Sequence, residues 1–238
     1  MSEIIKKTSR DLGNKPDTSL LQLMWLASPS LPIGGFAYSD GLESAVNSGM
    51  VTNFTQTKKW LTDQLHLTLA RADLPLLAHA ITAWRNQDFK IIEELNHWFL
   101  MTRESSEARA QTIQMGYSFV EWLKNQEDVL TDYVWLSSIK PTYPIAFALA
   151  ISNTNASLQD SLTSFAFAWS ENMVQAAMKA IPLGQLSGQK VLQQLCQEIP
   201  LVVASALNIP YGKWISFTPM LAILFSQHEN QYSRLFRS

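Results

Sequence analysis

The spacing of apolar residues in the second half of the chain most strongly limits what it can fold into. These residues recur at steps of three and four, which places them on one face of a helix of about five turns. They are Leu158, Leu162, Phe165, Ala166, Trp169, Met173 and Ala176. Strict alternation of apolar and polar residues is nearly absent, and no stretch between turn signals is rich in β-branched residues. The sequence therefore predicts an all-α fold.

Capping residues predict where several helices begin. Asn53, Asp88 and Ser105 each precede a stretch of apolar residues at helical spacing, and their side-chain oxygens can accept a hydrogen bond from the first turn. Asp73 stands before Leu74 and Pro75, and proline suits a first helical turn, so a helix is also predicted to begin there.

Glycine and proline predict two further helices and their ends. One is predicted over Phe36–Ser48 with Gly49 as its terminator, which places Gly41 inside it. The other is predicted to begin near Gly184 and to reach Leu207, with Pro200 bending or breaking it.

Length and composition fit one helical domain. The chain has 238 residues, of which 47% are hydrophobic and 16% charged, as is ordinary for a globular protein. Residues 1–15 are polar and lack periodicity, so we predict a disordered N-terminal tail. Residues 16–238 are predicted to form a single irregular bundle of roughly eight to ten helices.

Charge and cysteine content limit the compartment and the partners. A net charge of −2 offers no global field for gripping nucleic acid or an anionic membrane. Cys196 is the single cysteine, which fits a reducing compartment. The N-terminus lacks the apolar core of a signal peptide, and runs such as Leu201–Leu207 are too short to span a bilayer. We therefore expect a soluble cytoplasmic protein without nucleic-acid or membrane partners.

Recognisable catalytic equipment is missing. Residues 184–190 (GQLSGQK) lack the glycine and lysine spacing of a phosphate-binding loop. The four histidines show no metal-binding spacing, and no nucleophile elbow is present. The sequence thus predicts no catalytic residue, no cofactor and no metal site.

Residues 28–43 (SPSLPIGGFAYSDGLE) form a first segment that local folding does not explain. A loop accounts for its prolines and the glycine pair, but Gly41 inside a helix costs about 1 kcal/mol relative to alanine. Tyr38, Gly41, Leu42 and Ala45 would share one helix face, where glycine allows another backbone to approach closely.

Residues 179–189 (KAIPLGQLSGQ) form a second such segment. Gly184 and Gly188 are one helical turn apart, as are Gln185 and Gln189. A strip of glycine beside a strip of amides suits close contact with another element. From these residues alone, the strip either packs inside the protein or forms a surface for a partner.

Residues 228–238 (HENQYSRLFRS) form the third segment. Tyr232, Leu235 and Phe236 make an apolar side with Arg234 and Arg237 adjacent, a composition that binding surfaces favour. The segment either binds a partner protein or packs onto the core of its own chain.

These three segments resemble the signatures of the urease accessory protein F (UreF) family, in the same order and at similar spacing. Between them, Glu107, Arg109, Gln114 and Gly116 stand where the family has similar residues, as do Pro144 and Phe147. The resemblance extends from about Leu20 to Ser238. It implies an all-helical, non-enzymatic helper in the insertion of nickel into urease.

The resemblance also implies the partners. They are a second copy of the chain, the scaffold protein UreD/UreH, and the GTPase UreG that carries nickel, with urease apoprotein reached through the complex. Nickel and GTP would belong to UreG. We expect the second segment, with two residues of the first, to face UreG and the third segment to serve the scaffold. The candidate residues are Tyr38, Glu43, Lys179, Gln185 and Gln189 for UreG, and Tyr232, Arg234, Leu235 and Phe236 for the scaffold.

Two other functions stay open from sequence. A helical enzyme could assemble a site from scattered residues such as His79, Glu107 and Lys179. The second alternative is a helical signalling or transcription adaptor, although the basic recognition helix expected of a DNA-binding adaptor is missing.

Overall fold

The computed structural model describes residues 17–126, 135–136 and 138–238, and these form a bundle of helices without a β-strand. The predicted tail at 1–15 lies outside the described residues. The helices are α1 (Ser19–Leu26), α2 (Leu42–Asn47), α3 (Phe54–Gln64), α4 (Leu74–Arg85), α5 (Phe89–Met101), α6 (Ser106–Lys124), α7 (Tyr143–Ser152), α8 (Leu158–Ala180), α9 (Gln185–Leu207) and α10 (Pro219–Glu229).

A π-helix over Leu65–Asp73 joins α3 to α4, so that Phe54 to Arg85 is one continuous helix. With that run taken as one, the described residues contain nine helices, and the predicted all-α bundle is confirmed.

Side-chain caps begin the helices as the sequence predicts. Asn53 accepts a hydrogen bond from the backbone N–H of Gln56 at 3.1 Å. Asp88 and Ser105 cap α5 and α6 in the same way, at 3.1 and 3.0 Å. Each cap satisfies a backbone donor that the first turn of a helix leaves free.

The predicted helix start at Asp73 is wrong only in part. Helix α4 begins at Leu74, but it continues the preceding π-helix through Pro75 without a break, and the Asp73 side chain forms no cap. Proline cannot donate to the carbonyl four residues earlier, which here belongs to Arg71. That carbonyl instead accepts a hydrogen bond from the N–H of Ile215 at 3.0 Å. A long-range contact thus compensates for the missing donor. Pro200 likewise lies within an unbroken α9.

The predicted helix over Phe36–Ser48 is also wrong in its first half. Gly35–Ala37 form a short 3₁₀ turn, and α2 begins only at Leu42. Gly41 precedes α2 in a left-handed conformation, with φ of 77°, which glycine adopts without strain. A Cβ at Gly41 would lie 2.9 Å from Leu221 Cδ1, so the close approach that we predicted there is made by a side chain of α10.

Helix α7 lies at the centre of the core. Its residues 144–151 are all buried, and it packs against α4 and α6, while α8 and α9 pack against each other beside it. Gly116 of α6 allows this packing, because a Cβ there would lie 2.1 Å from the carbonyl oxygen of Pro141. Within the described residues, no helix is long and apolar enough to cross a membrane.

Candidate protein-docking site

The three segments that stood out in the sequence meet at one place in the fold. The N–H of Arg237 donates to the carbonyl oxygen of Ala37 at 2.8 Å, and the N–H of Ser39 donates to that of Ser238 at 2.6 Å. The ammonium of Lys179 lies 5.8 and 5.9 Å from the ring centres of Phe36 and Phe236. Residues far apart in the chain therefore form one composite surface.

Glu43 holds the C-terminal segment (residues 228–238) to this site. Its side chain lies in the first turn of α2 and is only 4% exposed. One carboxylate oxygen accepts from the N–H of Leu235 at 2.7 Å and from the Gln231 amide at 3.1 Å; the other accepts from the N–H of Phe236 at 3.0 Å. The left-handed turn at Gly41 allows α2 to start where this carboxylate reaches the segment.

His228 links Glu43 to a second carboxylate. Its imidazole is fully buried in the last turn of α10, with Nε2 lying 3.1 Å from Glu43 and Nδ1 lying 2.7 Å from Glu107. Arg234 forms an ion pair with the other oxygen of Glu107 at 2.6 Å. We call Glu43, Glu107, His228 and Arg234 the carboxylate–histidine network. It joins α2, α6, α10 and the C-terminal segment.

The network fixes which side chains of the C-terminal segment face outward. Phe236 is buried at 5% exposure, whereas Tyr232 is fully exposed and Leu235 is 69% exposed. The apolar side that the sequence predicted is therefore divided. Phe236 packs into the core, and Tyr232 and Leu235 are free to contact another molecule.

The second segment is also divided between core and surface. Gly188 is buried, and a Cβ there would lie 2.4 Å from Met178 Sδ, so this glycine serves the packing of α9 on α8. Lys179, Gln185 and Gln189 are exposed, and the two glutamine side chains form no hydrogen bond with another described residue. Their amides are thus available to a partner.

Tyr38 lies in the interior, at 4% exposure like Glu43. Its hydroxyl donates to Gln114 at 3.2 Å. The side chains of Tyr38 and Glu43 both lie beneath the surface. They can therefore affect partner binding only through the residues that they hold in place.

A second polar cluster lies beside a cavity of about 190 Å³ under the first segment. Asp40 accepts from the Gln111 amide at 2.6 Å and from the Trp169 indole at 2.7 Å. Asp73 pairs with Arg103 at 3.1 Å. Burial raises the pKa of Asp73, the guanidinium of Arg103 opposes that rise, and the charge of Asp40 adds to it.

Sequence reasoning missed the linking role of His228 and the cluster around Asp40. Both residues lie in segments that stood out in the sequence, but their partners lie 71 to 185 positions away. Periodicity and spacing report only on neighbours within one element, so no signal in the sequence pairs them.

The structure does not bring the three residues named for a possible enzyme site together. Among the described residues, no hydrogen bond or ion pair joins any two of His79, Glu107 and Lys179. His79 instead packs against Tyr211 and Trp214, and burial lowers its pKa. In the described ranges, no group of three or more His, Cys, Asp or Glu side chains is placed to hold a metal ion.

Fold and site together define a helical protein whose most elaborate buried polar network holds a peptide segment in place at the surface. Comparison with known proteins identifies the family. The UreF family model matches residues 51–196. A urease accessory protein UreF of a Polaromonas species is 54% identical over 224 residues, covering 94% of this chain and 96% of that protein.

Other relatives carry the same name. The urease accessory protein UreF of Paracidovorax citrulli is 52% identical, covering 94% of this chain and 90% of that protein. The urease accessory protein UreF of an Azoarcus species is 41% identical, covering 92% of this chain and 95% of that protein. The chain belongs to the UreF family of urease accessory proteins.

Proposed function

We propose that this protein organises the complex that inserts nickel into urease and does not itself catalyse a reaction. In this role it binds the scaffold UreD/UreH and the GTPase UreG, and reaches urease apoprotein through them. The observation that carries the proposal is the C-terminal segment, which is held by buried charges while its Tyr232 and Leu235 side chains face outward. Family membership supplies the process in which such a surface acts.

The C-terminal segment is the proposed contact with the scaffold. Exposed aromatic and aliphatic side chains cost free energy in water unless a partner covers them, and such side chains often act as anchors in interfaces. Holding the backbone at Leu235 and Phe236 lowers the entropy that would be lost on binding. Arg234, restrained by Glu107, stands at the rim of this contact.

Lys179, Gln185 and Gln189 are the proposed contact with UreG. The three side chains are exposed and lie around the α8–α9 turn, and the ammonium of Lys179 lies 5.8 Å from the ring centre of Phe36. A protein that binds one nucleotide state of UreG more tightly than the other changes GTP turnover by shifting the population of states, without supplying a catalytic group. We further propose that two copies of the chain form a homodimer, which would present these contacts twice.

Co-purification with UreD/UreH tests the scaffold contact. We expect the double variant Tyr232→Ala, Leu235→Ala to lose most of its binding, since buried anchors often cost about 2 kcal/mol or more each. The matched control is Leu20→Ala, which removes a side chain of similar exposure (70%) from α1. Normal co-purification of a folded double variant would overturn the proposal.

A further inference from the structure

The cavity of about 190 Å³ under the first segment has room for a small molecule. A cavity needs only roughly 10–15 Å³ to hold one water molecule. The lining includes Phe36, whose side chain is 65% exposed, so the cavity extends to the surface of the protein. A ligand from solution can therefore reach it.

Gln64 supplies a hydrogen-bond acceptor without a partner to this cavity. The residue lines the cavity and is only 7% exposed, and its side-chain oxygen Oε1 is buried without a hydrogen bond from any described residue. Leaving a buried polar atom unpaired costs free energy, so such an atom calls for a bound partner. That partner must donate an N–H or O–H group to the amide oxygen.

Asp40 brings a negative charge to the same cavity. One of its oxygens accepts from the Gln111 amide at 2.6 Å, and the other accepts from the Trp169 indole at 2.7 Å. An ionised carboxylate is an acceptor at both oxygens, so these two contacts suit the charged form.

The balance of charge around the cavity favours a cation. The acidic side chains of Asp40, Asp73 and Glu104 line it, whereas Arg103 is the one basic side chain among the described residues of the lining. Arg103 is already paired with Asp73 at 3.1 Å and lies 4.1 Å from the ring centre of Phe99. Its Nε has no partner among the described residues, and a water molecule beside the ligand can satisfy it. Negative charge thus exceeds positive charge where the ligand would lie.

Aromatic rings favour an organic cation over a metal ion. Five rings line the cavity, and they belong to Phe99, Tyr143, Phe165, Trp169 and Phe225. Aromatic faces attract ammonium groups and pack against the carbon atoms attached to them. In the described ranges, no group of three or more His, Cys, Asp or Glu side chains is placed to hold a metal ion.

We propose that this cavity binds a small organic ammonium ion. An N–H group of the ion donates to Gln64 Oε1, Asp40 and Asp73 supply the compensating negative charge, and the carbon atoms of the ion contact the aromatic rings. The proposal concerns the chain alone and does not depend on the proposed function.

Nitrogen-15 NMR of the full chain tests the proposal with ethylammonium chloride as the probe. The signals to follow, at constant ionic strength, are the indole N–H of Trp169 and the backbone N–H groups of Leu69 and Ala72, since all three residues line the cavity. We expect these signals to shift together and to saturate with one Kd. Ethanol is similar in size but uncharged, so it should bind at least about tenfold more weakly.

Two variants test the groups assigned to the site. Gln64→Met removes the acceptor while keeping the length of the side chain, and it should weaken ethylammonium binding by about tenfold or more, the effect of losing a hydrogen bond to a charged group. Asp40→Asn removes the negative charge and should weaken binding to a similar extent. Asparagine tolerates the left-handed backbone at this position, with φ of 48°, so this variant provides the test if Gln64→Met does not fold. The matched control is Gln189→Met, which changes an exposed glutamine of α9 and should leave the Kd unchanged.

Several outcomes would overturn the proposal. The absence of a saturable shift with ethylammonium would mean that the cavity holds water only. Equal affinity for ethanol would show that charge is not recognised, and an unchanged Kd in both folded variants would place the ion elsewhere. Tighter saturation of the same signals by magnesium or nickel chloride would assign the cavity to a metal ion.

Discussion

Glu43 shows how much one residue can determine at this site. Its two oxygens face four donors: the backbone N–H groups of Leu235 and Phe236, the Gln231 amide and the ring of His228. A carboxylate can accept all four hydrogen bonds, whereas an amide at the same place would direct its own N–H groups at some of these donors. The negative charge, and not only the shape, is what the C-terminal segment requires.

Replacing Glu43 by glutamine tests this requirement. We expect Glu43→Gln to lower the free energy of unfolding by about 3 kcal/mol, because breaking a buried charged network leaves the remaining groups uncompensated. Chemical denaturation followed by circular dichroism measures the change.

Glu94→Gln is the matched control for that variant. Glu94 is half-exposed and lies 3.9 Å from Lys90, so its removal should cost no more than about 0.5 kcal/mol. Equal effects of the two substitutions would show that the charge of Glu43 is not required.

At the scale of elements, the segment that ends α8 and begins α9 contains both a buried residue and exposed residues. Gly188 is buried against Met178, while Lys179, Gln185 and Gln189 remain exposed. The residue that serves packing therefore differs from the residues proposed to contact UreG, and substitution can separate the two roles.

The double variant Lys179→Ala, Gln185→Ala should change the melting temperature by little, since exposed substitutions usually alter stability by less than about 0.5 kcal/mol. If these side chains face UreG, the variant should nevertheless disturb GTP turnover by UreG, which a phosphate-release assay measures. Lys190→Ala, an exposed lysine elsewhere on α9, is the control. A large loss of stability with normal GTP turnover would assign the two side chains to packing.

At the scale of the whole molecule, the fold brings the beginning, the centre and the end of the described chain to one surface. Residues 37–43 and 228–238 meet there through backbone hydrogen bonds and the carboxylate–histidine network. Lys179 joins them through its ammonium, which lies near the rings of Phe36 and Phe236. Glu43 and His228 of this network are buried, and they hold the backbone of the C-terminal segment at the surface. That arrangement suits a protein that orients other proteins.

Nickel analysis of urease tests this role in the cell. A strain lacking this protein should produce urease whose subunits are folded and assembled but poor in nickel. Metal analysis of the purified enzyme, grown at low external nickel, measures the occupancy. Restoring the gene should restore the metal, and full occupancy in the deletion strain would refute the proposed role.

The sequence by itself determined the helices and the segments of interest. Period-3.6 spacing and the caps at Asn53, Asp88 and Ser105 specify helices because both act between residues a few positions apart. The sequence also singled out the first, second and third segments, because local folding does not explain their glycine, amide and aromatic residues.

Only the tertiary structure decided what those residues do. Whether Phe236 faces inward and Leu235 outward depends on Glu43, which is 193 positions from Phe236. The helix continues through Pro75 because Ile215 supplies the hydrogen bond to Arg71 that proline cannot. Burial and long-range hydrogen bonding depend on which distant elements pack together, and local spacing carries no information about that.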